Sequence, residues 1–567
     1  MTIHQDINDF SGKVARRLQS IYPSGFSEGH VNRITSLIHA VPYTGPLWNE
    51  RDIILISYGD TIIRPNEKPL ITLRRFLKDR LGQKISCIHV LPFFPSTSDD
   101  GFAVSDFNNV DPGLGSWEEI EELGRDYSLM FDLVLNHVSS SHPWFLNFCS
   151  GKIPGKDYFI EKIPDADYHL VVRPRSTNLF TEFDTNSGKK EVWTTFSADQ
   201  ADLNYANPDV LIEMIRILLF YISKGARIIR LDAIAFLWKE IGSPCLHHRK
   251  THEIVKLLRD IGTYANPRLI ILTETNVPNP DNWSYFGQDD EAHMVYQFTL
   301  PPLILYTLFS GNSQYLTNWA ESILPAGEKK TFLNFTASHD GIGIRPLEGI
   351  LPYNEIQRLI DGIRNFGGLL SVKTNPDGSK GPYEMNITYY SAMAGTVNGI
   401  DDLGEKRFLA SQFIMLAMQG IPAVYIQSLF GSENDYDGVK NSGMARSINR
   451  KKWNEEKILN ILSGNTAQAR IFAEFTRAIT IRQNTSAFHP DCPQQVLHLG
   501  DSFFGFFRLN PANREKIYCI SNITASPQNI NIDIAAIPHK GYDLLDGQTY
   551  SEKNEINFEP YQTRWLV

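Results

Sequence analysis

At 567 residues the chain is too long for one hydrophobic core, so a large domain with smaller satellites is expected. It is 42% hydrophobic and 21% charged, the balance of an ordinary globular protein. A net charge of −10, with no dense Lys/Arg run, excludes a surface built to neutralise a nucleic-acid backbone. Small or anionic ligands, which need only a few local cations, stay open.

The opening stretch MTIHQDINDFSGKVARRLQSIYPSGF has no apolar h-region of a secretory signal. No stretch approaches the roughly 20 apolar residues of a membrane helix. Cys87, Cys149, Cys245, Cys492 and Cys519 are odd in number, far apart and without a C-x-x-C pair, which points to free thiols in a reducing cytoplasm. Cys245, His247 and His248 form the one metal-like cluster. Without a second ligand pair it reads as an ordinary loop.

The first 50 or so residues read as a helical extension. Eight β-rich apolar runs follow: 52–57, 87–93, 128–135, 226–233, 269–276, 294–300, 331–338 and 421–428. They are continuous rather than alternating, as strands buried on both faces should be. Between them lie amphipathic segments such as GSWEEIEELGRDY, DVLIEMIRILLFYISKG and HEIVKLLRDIG. The second places Leu211, Met214, Ile215, Leu218 and Leu219 on one stripe. Eight such alternations predict an α/β fold, a (β/α)8 TIM barrel. Two connections, 139–205 and 341–405, are too long for simple loops and leave the C-terminal ends of the third and seventh strands, where a barrel builds its active site. After about residue 487 come short runs with turns: VLHLG, FFGFFRL, KIYCISNI, INIDI and TRWLV. The expected organisation is barrel with N-terminal extension over 1–138, insertion over 139–205, barrel over 206–340, insertion over 341–405, barrel end over 406–487 and an antiparallel C-terminal β domain over 488–567. No internal repeat or low-complexity segment is present.

Polar residues gather at the predicted strand ends: Asp132, Asn136 and His137 after the third, Arg230 and Asp232 at the fourth, Glu274 at the fifth, His339 and Asp340 at the seventh. One strand-end Asp more often caps a helix than catalyses. Four endings in this order, around one barrel mouth, point to a cavity lined with carboxylates.

With DLVLNH, GARIIRLDA, LTETN, TASHDGIG and the loop DDGFAVSDFNNVDP, the chain resembles the α-amylase family of glycoside hydrolases along essentially its whole length. The resemblance implies Asp232 as nucleophile, Glu274 as general acid/base and Asp340 as transition-state stabiliser. Acetal cleavage needs one ionised and one protonated carboxyl. Arg230, two residues from Asp232 on the same strand face, would keep Asp232 ionised and aimed. Glu274 should have the raised pKa of a general acid. His137 and His339 would bond sugar hydroxyls.

The phrases VRPR, FTLPPLILYTL, INITYYSA and SINRKKW are similar to those of the sucrose-phosphorylase group within that family. That resemblance implies that Asp99 and Arg450 close the far side of a pocket for one glucosyl unit, with Phe102 as stacking aromatic. Arg175, in Arg173-Pro174-Arg175, and Tyr383 match acceptor-site positions. A guanidinium there suits phosphate as the attacking group. Phe236 and Glu384 depart from the Tyr and Gln of sucrose phosphorylases. NPDGSKGPYEMN, ETNVPNPDNWSYFG and DDEAHMVYQFTLPP resemble the glucosylglycerate-phosphorylase branch, whose acceptor is a small anion. Lys380 is a second cation in the same loop. The expected partners are a small glucoside and inorganic phosphate, with no nucleic acid and no membrane; a homodimer is admitted by the sequence without being specified. Cofactors are expected to be none: calcium lacks a run of hard oxygen ligands, and no nucleotide-binding Gly-rich loop follows a strand. The alternatives left open are a sucrose, sucrose 6′-phosphate or glucosylglycerol phosphorylase, and a hydrolase or transglucosidase in the same site.

Overall fold

The computed structural model describes residues 7–567 except 42–44, 324–326, 328, 375–378, 536 and 552–553. Four of the residues in the second insertion, 375–378, thus lie outside the described residues. Eight strands form one closed parallel barrel. They are β1 (Ile54–Ser57), β2 (Cys87–Val90), β3 (Ser128–Val134), β4 (Ala226–Asp232), β5 (Ile270–Thr273), β6 (Met294–Tyr296), β7 (Thr331–Asn334) and β8 (Ile421–Tyr425). Closure comes from β8 pairing with β1, Ala423 opposite Ile54. Each predicted run supplies one strand, in the predicted order.

The strands are shorter than the apolar runs, and the loss falls mostly at their C-terminal ends. Ile426 already opens a helical turn after β8, and Leu300 with Pro301 starts a helix four residues past β6. Apolarity continues past the ladder because these residues are still buried, now against the insertions. Periodicity cannot separate the two kinds of burial.

Outer helices start where local chemistry allows. Ser116 and Glu119 form a capping box on Trp117–Asp126. The Asn207 side chain accepts from Asp209 N–H at the start of Pro208–Ser223. That helix buries Leu211, Met214, Ile215 and Leu218 against the barrel, with Leu219 half-buried. His248 caps Arg249–Ala265, and Cys245 packs with Val171 and Trp193. These two members of the metal-like trio therefore have structural occupations. Helices Ile7–Ile21 and Glu28–Ser36 make up the N-terminal extension.

Two polypeptide excursions frame the barrel mouth. Between β3 and β4, strand Gln200–Asp202 pairs antiparallel with His137–Ser139, and a hairpin joins Phe180–Thr185 to Gly188–Trp193. Between β7 and β8, strand Lys380–Asn386 lies in the middle of a three-stranded sheet with Ile342–Gly343 and Leu369–Thr374. The chain ends in a six-stranded antiparallel sheet. Two of its strands, Lys540–Asp543 and Gln548–Ser551, and a separately paired strand, Glu555–Phe558, were not anticipated. They are short, polar on one face and lack an apolar run. Of INIDI, only the first two residues are strand, since Ile532–Ala535 is a helical turn.

Candidate active site

β3, β4 and β5 are in register so that Asp132 lies opposite Arg230 and Val134 opposite Asp232. Inward-pointing side chains of neighbouring strands therefore meet at one height. Arg230, 3% exposed at its side chain, donates from Nη1 to Asp132 Oδ1 and to Asp232 Oδ1 at 2.6 Å, and its Nη2 stands 4.0 Å from Glu274 Oε1. Asp132 is held in turn by His89 Nε2 at 2.6 Å. Ala233, directly after Asp232, has a left-handed backbone (φ 50°) and donates its N–H to Glu274 Oε2 at 3.0 Å. A non-glycine residue in that region is strained, and here the strain aims an amide at a carboxyl of the neighbouring strand.

Burial raises the pKa of both Asp232 and Glu274, with Arg230 pulling each back. Arg230 touches Asp232 directly and Glu274 only at 4.0 Å, so it favours the ionised form of Asp232 more strongly than that of Glu274. Asp340 behaves differently. Burial alone would raise it, but Arg446 at 2.6 Å and Arg450 hold it far below the usual carboxylate range. Asp132 is likewise kept at about 2, its burial outweighed by His89 and Arg230. Burial keeps His137 and His339 neutral.

The cavity above this cluster is lined by Asp99, Phe102, His137, Arg175, Arg230, Asp232, Glu274, His339, Asp340, Tyr383 and Glu384 among the residues singled out from sequence. Phe102 stacks on His339 (centroids 4.9 Å apart, planes 5° apart). The His137 ring Nε2 faces the Phe102 carbonyl at 3.1 Å. Arg175 lies over the Tyr383 ring, 5.5 Å from its centroid.

Three expectations need correction. Arg450, expected to close the pocket beside Asp99, does not line the cavity. It pairs with Asp100, donates to the His339 carbonyl at 2.8 Å and lies 3.8 Å from Asp340. Asp99 faces Gln200 instead, whose Nε2 donates to its Oδ2 at 3.3 Å. The cause is two consecutive left-handed residues, Asp99 (φ 53°) and Asp100 (φ 48°), which send neighbouring side chains to different partners. Gly101 completes that turn, since a Cβ there would meet the Pro92 carbonyl at 2.6 Å. Phe236 stands one layer back, edge-on to Phe196 at 5.4 Å, and Phe196 is the ring that faces the cavity. Lys380 is exposed at the outer end of its strand, outside the cavity.

Sequence reasoning missed Gln200, Phe196, Asn276, Ala233 and, above all, Arg446. Arg446 donates to both oxygens of Glu384, from Nε at 3.1 Å, while its Nη1 meets Asp340. Its position four residues before Arg450, on the short turn Ala445–Asn449, was the available signal.

Residues 76–335 match the alpha amylase catalytic-domain family. The chain is 44% identical to a glucosylglycerate phosphorylase of Spirochaeta thermophila, covering 91% of this chain and 90% of that protein. The chain belongs to the α-amylase family. A glucosylglycerate phosphorylase of Escherichia coli K12 is 39% identical over 98% of this chain and 99% of its own length. A solved sucrose 6F-phosphate phosphorylase from Thermoanaerobacter thermosaccharolyticum superposes with a TM-score of 0.72 at 23% identity, covering 83% of this chain and 94% of that one. This last likeness is one of fold. Membership in the family accounts for carboxylates arriving from β4, β5 and the loop after β7 at one barrel mouth.

Proposed function

We propose that the chain is a retaining phosphorylase: glucosylglycerate and phosphate give α-D-glucose 1-phosphate and D-glycerate. The observation carrying the chemistry is the single Arg230 set against two buried carboxyls, in contact with Asp232 at 2.6 Å and 4.0 Å from Glu274. Asp232, ion-paired, attacks the anomeric carbon. Glu274, protonated, gives its proton to the departing glycerate oxygen as the bond to carbon breaks. The glucosyl unit is then an ester of Asp232. A phosphate oxygen attacks the same carbon, Glu274 takes its proton, and the Asp232 carboxylate leaves. Two inversions retain the α configuration. Asp340, held anionic by Arg446, stabilises the positive charge that develops on the sugar in the transition state of each step. Asp99, Phe102, His137 and His339 form the glucosyl wall, with Arg450 supporting it from behind. The acceptor reading rests on the activity of the glucosylglycerate phosphorylases that the chain resembles, supported by the cationic group formed by Arg175 and Arg446 beside Tyr383. The five unpaired cysteines fit a cytoplasmic location. No helix among the described residues is long and apolar enough to cross a membrane.

The deciding test measures glucose 1-phosphate, with and without inorganic phosphate, from glucosylglycerate, sucrose, sucrose 6′-phosphate and glucosylglycerol. Phosphate-dependent release from glucosylglycerate is the expected result. Free glucose regardless of phosphate would make the chain a hydrolase, and release from another donor alone would change the acceptor. With Arg175→Ala, phosphorolysis should fall at least tenfold more than residual hydrolysis, roughly the loss of one charge-assisted hydrogen bond. Equal loss of both would place Arg175 outside the phosphate site.

A further inference from the structure

Two guanidinium groups and one carboxylate meet on the acceptor side of the cavity, and they are not equally engaged. Glu384, 1% exposed at its side chain, is gripped by Arg446 through both oxygens, while Arg175 approaches the same carboxylate only to 4.0 Å. Arg175 is 25% exposed and otherwise rests on the Tyr383 ring. The Glu384 backbone is fixed from both sides, paired with Gly343 on one edge and Ser371 on the other. The point from which its carboxylate reaches Arg446 is therefore fixed by the sheet. Arg446 is tethered a second time, by Asp340 at 2.6 Å. Arg230 and Arg450 have their own partners, in Asp132 with Asp232 and in Asp100.

We propose that Glu384 is the charge selector of the acceptor subsite. It cancels one of the two guanidinium charges, so the subsite offers an incoming acceptor one positive charge, on Arg175, and favours a small hydroxy acid with a single carboxylate. A dicarboxylate of the same size meets the Glu384 carboxylate with its second charge, and a neutral polyol leaves Arg175 with only the Glu384 carboxylate, 4.0 Å away and gripped by Arg446, as counter-charge. This deepens the phosphorylase reading and rests on it. The sequence singles out Glu384 only as a departure from glutamine; its two arginine neighbours are brought to it by the fold. Its position in the cavity wall, on the acceptor side of Asp340, gives it a role in selection.

The test runs the reaction backwards with purified full-length chain and glucose 1-phosphate as donor. D-Glycerate is compared with tartronate, in which the glycerate CH2OH is replaced by a second carboxylate. The readout is the ratio of the two kcat/KM values within one preparation, which cancels the fraction of folded enzyme. Wild type should prefer glycerate. Glu384→Gln should raise the tartronate-to-glycerate ratio about tenfold, the scale of one partly screened unit charge a few ångströms away. Glu384→Gln combined with Arg446→Gln should return the ratio toward wild type, because the charge balance is restored. An unchanged ratio in the single variant, or no return in the double, overturns the selector. Arg446→Gln alone keeps the question decidable if glutamine at 384 prevents folding: the uncompensated carboxylate should raise KM for phosphate about tenfold, and an unaltered KM would count against the proposal. The same phosphate KM, measured with whichever glucoside is cleaved, should fall in Glu384→Gln. A fall there with glycerate inert in wild type would refute the glycerate reading and leave the selector standing.

Discussion

Glu274→Gln lowers kcat for glucosylglycerate phosphorolysis by about 10²–10⁴-fold, the usual worth of a general acid/base, and leaves the fold at least as stable as wild type. Asp232→Asn removes the nucleophile and should be at least as severe. The stability half follows from the same burial that sets the chemistry. Both carboxyls bind protons more tightly in the folded chain than in the unfolded one. A raised folded pKa favours folding below the unfolded carboxyl value, near 4, and that contribution is lost as pH rises through the folded value. Glutamine at 274 does not ionise, so the loss is reduced. The thermal midpoint of Glu274→Gln minus that of wild type should be positive and should widen from pH 5 to pH 8. Activity within tenfold of wild type would remove Glu274 from the acid/base role. A midpoint difference that narrows over that range would show that the buried pair does not hold an extra proton.

Lys239→Met should be the most destabilising single change near the site, at about 3–5 kcal/mol, the cost of stranding a buried charge. The Lys239 ammonium, 4% exposed, lies 2.7 Å from Asp202 Oδ2 and 2.6 Å from Asn136 Oδ1. Asp202 is fully buried and also accepts from Asn136 Nδ2, Thr195 N–H and Thr195 Oγ1. The lysine thus joins the turn after β4, the end of β3 and the first insertion at a single point directly behind His137. Its ammonium is a covalently attached cation at a convergence of oxygen ligands, so turnover should be unchanged by a chelator. Denaturant midpoints would read the stability loss. Asp202→Asn in the Lys239→Met background should recover most of it, because the stranded charge is then gone. If the double variant is no more stable than the single one, the loss comes from packing rather than from the charge.

The barrel and its catalytic edge were legible in the sequence because both depend on local order. An apolar run that ends in Asp, Glu or Arg specifies a strand buried on two faces and a charge at its mouth, whatever the rest of the chain does. Thus Asp232, Glu274 and Asp340 could be placed from strand-end position and motif, and the cavity brings them together. The same logic missed the polar strands of the C-terminal domain, whose pairing with distant partners supplies what their composition does not.

Who pairs with whom at the site was decided only by the tertiary structure. Asp99 and Asp100 are neighbours of identical chemistry, and two left-handed residues determine that the second, not the first, meets Arg450. Arg446, Glu384 and Asp340 come from three separate segments and become one network only when the insertion after β7 folds over the barrel mouth. Ion pairs of this kind are set by distances of 2–4 Å between residues up to hundreds of positions apart, and side-chain type alone does not encode them. The sequence by itself determined a barrel with carboxylates at its mouth through the order of its strand ends, and its motifs, by their resemblance to a family, implied the reaction class. The tertiary structure decided how the charges are divided among Arg446, Arg175, Glu384 and Asp340.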